Sequence, residues 1–237
     1  MPADSLAAVL FDLGGVLVHI DYDAIAATAA SLGIDVDPRV LPRAEGNARR
    51  AIDRRAGALG AALGTDAGRV PDYFDDLLAG AGLAEEERSA LVPRLRALHA
   101  EDNLWRIPFA DAAATLATLR EAGLRLAVVS NADGRAASVV AAAGLAGAFD
   151  AILDSHLEGV EKPDTEIFRR ALVRVGAPAA RAAFVGDIVS IDVVGARNAG
   201  LRPILIDPAL AYRDVEFERI ERLAELPGRL GMRRNGA

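Results

Sequence analysis

From Trp105 onward, short apolar runs alternate with helix-length segments, and this alternation leaves the chain few folds to choose from. Residues 110–121 read as a helix closed by Gly123, and residues 125–129 as a strand leading into the turn-forming run Ser130-Asn131-Ala132-Asp133-Gly134. A helix then runs to Ala143, followed by a strand at 151–153, a helix at 164–175, a strand at 182–185, a helix at 191–198 and a strand at 203–206. Strand and helix at crossover spacing predict a parallel sheet wrapped by helices. One more strand stands far upstream, at 7–11, ended by Asp12 and a Gly-Gly turn. The amphipathic stretch 215–226 reads as a closing helix, and Arg233-Arg234-Asn235 as a frayed end.

Between the first strand and the rest, from Tyr22 to His99, the periodicity is helical, with breaks near 33–38, 64–68 and 80–82. That spacing predicts a bundle of about four helices. An insertion at this point of an open α/β fold lies over the carboxyl ends of the strands, where ligands bind. The expected organisation is a doubly wound α/β core from residues 1–17 and 106–237, with an α-helical cap from 18–105. A chain of 237 residues accommodates both parts. Its hydrophobic content of 52% with only 5% aromatic residues is largely alanine, which favours helices.

The net charge of −7 disfavours nucleic acid and anionic membrane as partners. The absence of cysteine excludes disulfides, zinc–thiolate sites and cysteine nucleophiles, and fits a reducing cytoplasm. No apolar run reaches the roughly 18 residues of a membrane span. The N-terminus, with Asp4 and Asp12 and no early Lys or Arg, does not read as a signal peptide.

Four strand ends carry polar residues in chain order: Asp12, Ser130-Asn131, Lys162 and Asp187. Such residues converge at one edge of a parallel sheet. An aspartate can attack phosphorus, two carboxylates with a carbonyl and waters suit magnesium, and a hydroxyl and an ammonium can hold phosphoryl oxygens. Read singly, each is ordinary: Asp12 can open a turn, Ser130 and Asn131 are turn formers, Asp187 can cap a helix and Asp192 can sit on a solvated face. Lys162 is harder to set aside, because it is the sole lysine among many arginines. His19, His99 and His156 show no metal-ligand spacing.

Together these segments resemble the haloacid dehalogenase (HAD) superfamily, in its subfamily with a helical cap. Phe11-Asp12-Leu13-Gly14-Gly15-Val16-Leu17 is similar to the first family motif, Val128-Val129-Ser130-Asn131 to the second, Glu161-Lys162-Pro163-Asp164 to the third, and Val185-Gly186-Asp187 with Asp192 and Gly195-Ala196-Arg197 to the fourth. Four motifs in order are a far more specific signal than any one of them. The resemblance implies a Mg2+-dependent phosphatase of a small phosphorylated metabolite. In it Asp12 is the nucleophile that forms an aspartyl-phosphate, and Ser130 and Lys162 bind the phosphoryl group with backbone amides near Gly15 and Asn131. Asp12, Asp187 and the Gly14 carbonyl hold magnesium, and Asp192 supports the metal site or serves as an alternative ligand.

One position departs from the pattern. Gly14 stands where phosphatases of the family carry a second aspartate that protonates the leaving group, a role worth about a hundred- to ten-thousandfold in rate. This DxG form occurs in one phosphatase branch of the family. His19 and Asp21 are candidate substitutes; the alternative is that both only shape the hinge of the cap. The other readings kept open are a haloacid dehalogenase and a catalytically impaired relative that binds a phosphometabolite or a protein. Arg43, Arg49, Arg50 and Arg54 could reach an anionic substrate, but a solvated arginine face is the preferred expectation.

Overall fold

The computed structural model describes residues 6–59 and 66–232. Strand β1 (Ala8–Phe11) is followed by β2 (Val18–Ile20) and four helices, α1 (Tyr22–Ala30), α2 (Leu41–Leu59), α3 (Asp66–Gly80) and α4 (Glu85–Glu101). The chain returns through β3 (Trp105–Pro108) to α5 (Ala112–Glu121), β4 (Arg125–Ser130), α6 (Ala136–Ala142), β5 (Ala151–Asp154), α7 (Ser155–Glu158) and α8 (Thr165–Val175). It ends with β6 (Ala182–Gly186), a wide π-type turn at Val189–Val193, α9 (Val194–Asn198), β7 (Arg202–Ile206), β8 (Arg219–Ile220) and α10 (Leu226–Arg229).

The main sheet has six strands in the order β5-β4-β1-β6-β7-β8, all paired in parallel. β1 and β6 are buried along their whole length, as expected of strands covered on both faces. Their side chains alternate with the two-residue period of a strand. Val9 and Phe11 join Val128, Val185 and Leu116 in one core, whereas Ala8 and Leu10 join Val129, Phe184, Phe168 and Ile167 in the other. The chain leaves β1 for β4 and β5 on one side and for β6, β7 and β8 on the other. The order therefore reverses at β1, which puts Asp12 at the switch point where such sheets bind ligands.

Helices α1–α4 build a separate apolar cluster around Ile25, Leu41, Phe74, Leu77, Leu91 and Leu95, which Ile191 of the core joins. They attach through β2 and β3, a short antiparallel ribbon that the sequence reading did not anticipate. Asp21 follows this ribbon and caps α1, accepting the Ala24 amide at 2.9 Å and pairing with Arg106 at 2.8 Å. The break expected at 64–68 falls partly on residues outside the described ones, and α3 is already helical at Asp66. The frayed end expected at Arg233-Arg234-Asn235 also lies outside them.

The closing helix expected over 215–226 does not form. β8 pairs with β7 instead, the Leu205 and Asp207 amides donate to the Glu218 and Ile220 carbonyls, and only 226–229 is α-helical. Val215 and Phe217 alternate as a strand would and pack with Leu205 and Tyr212. The open edge of β7, with unpaired backbone groups, outweighs the helical pattern of a short amphipathic stretch. Among the described residues no helix is long and apolar enough to cross a membrane.

Candidate active site

The carboxyl ends of the strands bring the polar residues together. Asp12 follows β1, and its amide donates to the Val185 carbonyl of β6 at 2.9 Å. Its Oδ1 accepts the Leu13 amide and the Lys162 ammonium, each at 2.8 Å. Its Oδ2 has no partner among the described residues, and the Asp12 side chain is 13% exposed to the cleft it lines. Ser130, at the end of β4, lines the same cleft. The Asn131 side chain clamps the Lys162 peptide, accepting its N–H at 2.7 Å and donating to its carbonyl at 2.8 Å. Asp154 braces the loop after β4, accepting the amides of Gly134, Ala136 and His156.

Lys162 is fully enclosed, with its ammonium 2.8 Å from both Asp12 and Asp192. Burial would depress its pKa, but the two carboxylates outweigh burial and raise it, so the charge is secure. Asp192 is spent on support. Oδ1 takes Lys162, and Oδ2 accepts the amides of Asp187 and Ile188 at 3.0 Å each. The π-type turn carries it back under β6 so closely that a Cβ on Gly186 would lie 2.3 Å from Asp192 Cβ. Glycine at that motif position is a packing requirement. Gly15 is a second one: its φ is +75°, and a Cβ there would lie 2.0 Å from Asp187 Oδ2.

The helical half contributes directly. Arg49 of α2 is 2% exposed, and its Nε lies 2.6 Å from Asp187 Oδ2. The contact is ionic and lacks hydrogen-bond alignment. Glu45, one turn earlier, sits 3.5 Å from the guanidinium and accepts the hydroxyls of Tyr22 and Tyr73 at 2.5 and 2.6 Å. Arg50 pairs with Asp214, and Asp53 accepts the Ser190 amide and the Tyr212 hydroxyl. α2 is thus fastened to the core loops along one face. His99 of α4 and Trp105 of β3 complete the cleft wall with Ile52, Tyr73, Ile188 and Ile191.

Asp12, Asp187 and Asp192 bring carboxylate oxygens within 4.8 Å of one another, so this group could hold a metal ion. The donor set suits a hard divalent cation. Asp187 Oδ1 is buried with no hydrogen-bond partner. Burial, with Asp192 and Asp12 close by, holds the Asp187 carboxyl well above its ordinary range despite Arg49. Burial raises Asp12 as well, against the pull of Lys162. Carboxylates held above their ordinary range are short of positive charge, and a cation would relieve both.

Several expectations are changed by this geometry. The Gly15 amide is not a free phosphate donor: it is committed to the Val18 carbonyl at 2.7 Å, because the loop closes on itself there. Asn131 lines the cleft, but its side chain is spent on Lys162. Of the two readings of Asp192, support for its neighbours fits, since both its oxygens are occupied. His19 and Asp21 belong to the hinge. His19 stacks on Tyr22 and packs against Phe109, and neither residue lines the cleft. The solvated arginine face holds for the exposed Arg43 and Arg54 and fails for Arg49. The sequence reading did not assign Arg49, Asp154, His99 or Trp105 to the site; the only signal for Arg49 was its place in an arginine cluster.

The chain matches the family model of haloacid dehalogenase-like hydrolases over residues 6–200, and it belongs to that family. It is therefore a hydrolase of the HAD type. Haloacid dehalogenase-like hydrolase domain-containing protein 3 of Danio rerio is 37% identical over 130 residues, and the match spans about half of each chain (53%). Glyceraldehyde 3-phosphate phosphatase of Methanothermobacter thermautotrophicus is 27% identical over 218 residues, 92% of both chains. Among solved structures, 2-haloacid dehalogenase from Pseudomonas syringae superposes with a TM-score of 0.57 at 24% identity, covering 95% of this chain and 98% of its own. That likeness is one of fold.

Proposed function

We propose that the protein is a magnesium-dependent phosphatase that hydrolyses a small phosphorylated metabolite through phospho-Asp12, in the cytoplasm. Residues 18–105 act as the cap and residues 1–17 and 106–237 as the core. The observation that carries this reading is the state of Asp12: one oxygen is pinned by Leu13 and Lys162, and the other is free at the switch point of the sheet. The full-length likeness to glyceraldehyde 3-phosphate phosphatase supports it.

Magnesium held by Asp12, Asp187 and the Gly14 carbonyl would neutralise phosphoryl charge. The remaining roles belong to the chain. Asp12 Oδ2 attacks phosphorus, while Lys162 and Ser130 hold the phosphoryl oxygens. Asp192 aims Lys162 and the Asp187 loop, Asn131 fixes the Lys162 backbone, and the helices exclude bulk water. Water then attacks phosphorus of the phospho-Asp12 acyl phosphate, breaking its P–O bond, and releases inorganic phosphate and the Asp12 carboxylate.

The test is a panel of phosphorylated metabolites assayed with and without Mg2+, with mass spectrometry of the trapped enzyme. Magnesium-dependent phosphate release and a phosphoryl adduct on Asp12 are expected. Metal-independent halide release from a 2-haloacid, with no phosphate release, would move the protein to the dehalogenase reading.

A further inference from the structure

Among the described residues, the cleft holds no acid free to pass a proton to a departing group. Every titratable group lining the cleft except His99 is otherwise engaged. Asp12 is the attacking group in the reading above. Lys162 is locked between Asp12 and Asp192, and both Asp192 oxygens are occupied. Asp187 faces Arg49. Tyr73 donates its hydroxyl to Glu45. Asp133 is tied to Arg135, which holds its carboxyl below the ordinary range although burial opposes.

That leaves His99, and its geometry fixes what it can do. Nδ1 accepts the Leu104 amide at 3.1 Å, so the neutral ring carries its proton on Nε2. Burial, aided by Arg135, pushes its pKa down, so the ring is neutral at pH 7. A neutral imidazole donates a hydrogen bond from Nε2 but does not release that proton. Nε2 has no partner among the described residues. The ring meets Trp105 edge to face at 5.2 Å.

Trp105 closes the remaining space. A Cβ placed on Gly14 would lie 3.0 Å from Trp105 Cδ1 and 3.4 Å from Nε1. The indole crowds position 14, and would have to give way by a few tenths of an ångström to admit even a Cβ there.

From this, and resting on the phosphatase reading, we infer that the cleft is built for a phosphoryl group on an acidic oxygen, as in an acyl, enol or aryl phosphate. Trp105 keeps residue 14 small, and His99 Nε2–H donates a hydrogen bond to the departing group. The step balances without an acid. Asp12 Oδ2 forms the new P–O bond, and the bond from phosphorus to the leaving oxygen breaks. The electron pair leaves with that oxygen as a stable carboxylate, enolate or phenolate, which takes no proton in the transition state. Water then attacks phospho-Asp12, its protons pass to phosphate and solvent, and the Asp12 carboxylate returns. The apolar wall of Ile52, Ile188, Ile191 and Trp105 suits a small, planar departing group.

The experiment measures single-turnover rates with Mg2+ on benzoyl phosphate, 4-nitrophenyl phosphate, phenyl phosphate, glyceraldehyde 3-phosphate and glycerol 3-phosphate. Rates should fall about a hundredfold or more from the most acidic to the most basic leaving group. Gly14→Asp alone should not flatten this dependence, whereas Gly14→Asp combined with Trp105→Leu should. His99→Leu should slow benzoyl phosphate about three- to tenfold, the worth of one hydrogen bond, and His99→Gln should recover most of that. Magnesium-dependent turnover with a flat dependence in the wild type, glyceraldehyde 3-phosphate keeping pace with the aryl esters, would overturn this inference and leave the phosphatase reading standing. So would a flattened slope in folded Gly14→Asp alone. No Mg2+-dependent turnover of any of the five would remove the phosphatase reading, and this inference with it. The wild-type series decides the question even where a variant does not fold.

Discussion

The two halves of the molecule bring charge to the same site by different means. At the sheet edge, the Asp12 and Asp192 carboxylates accept backbone amides of the loops that follow β1 and β6, the Asn131 side chain clamps the Lys162 peptide, and the Lys162 ammonium bridges the two carboxylates. On α2, no backbone group among the described residues holds the Arg49 guanidinium: it pairs with Asp187 without hydrogen-bond alignment and donates one long hydrogen bond, 3.5 Å, to Glu45. Side chains fixed by a backbone scaffold are organised before any ligand arrives. A side chain fixed by an ion pair can exchange that partner for another charge. In the proposed reaction the sheet edge therefore supplies the reacting groups, and the helical half a replaceable counter-charge and the cleft wall.

The largest effect should follow from the sheet edge. Asp12→Asn keeps the shape but removes the proposed nucleophile, and should lower phosphate release by about a thousandfold or more with an unchanged melting temperature. Activity within tenfold of the wild type would take Asp12 out of its role.

Arg49→Met tests the other half. Breaking a buried ion pair from one side costs about 3–5 kcal/mol. Chemical denaturation should show that loss without Mg2+ and recover much of it with Mg2+, because the cation replaces the missing charge at Asp187. Equal losses under both conditions would show that Arg49 is a fixed part of the core like Lys162.

Lys162→Arg comes next. In an arginine-rich chain the swap would be harmless at the surface. Here a planar fork must fit an enclosed point-charge site between two carboxylates, and a loss of about a hundredfold in kcat is expected. Near-normal kinetics would break the contrast between the two halves, since the sheet edge would then tolerate exchange as well.

The smallest effect lies at the joint. Burial opposes ionisation of Asp21, but the Ala24 amide and Arg106 win and hold its carboxyl below the ordinary range. Asp21→Ala should cost about 1 kcal/mol at neutral pH, most of it the helix cap. A depressed folded pKa contributes stability above the unfolded value, near pH 3.9, and loses it as pH falls through the folded value. The gap between wild type and variant should therefore close below about pH 3.9. A gap that persists in acid would assign the effect to packing.

The sequence by itself determined the parallel sheet, the helical insertion and most of the sheet-edge residues. Buried strands read as unbroken apolar runs, and Asp12, Ser130 and Asp187 stand at the ends of such runs, so local pattern and site coincide there, whereas Lys162 lies in the loop after α7. The same local reading failed at 215–226, where the free edge of β7 decided between strand and helix. It could not find Arg49, because whether an arginine on an amphipathic helix faces water or a carboxylate depends on what lies opposite. Nor could it show that the Gly15 amide closes its own loop, that Asp192 spends both oxygens, or that Trp105 stands over Gly14. Those facts join residues far apart in the chain or set by a loop's closure, and only the tertiary structure brings them within reach of one another.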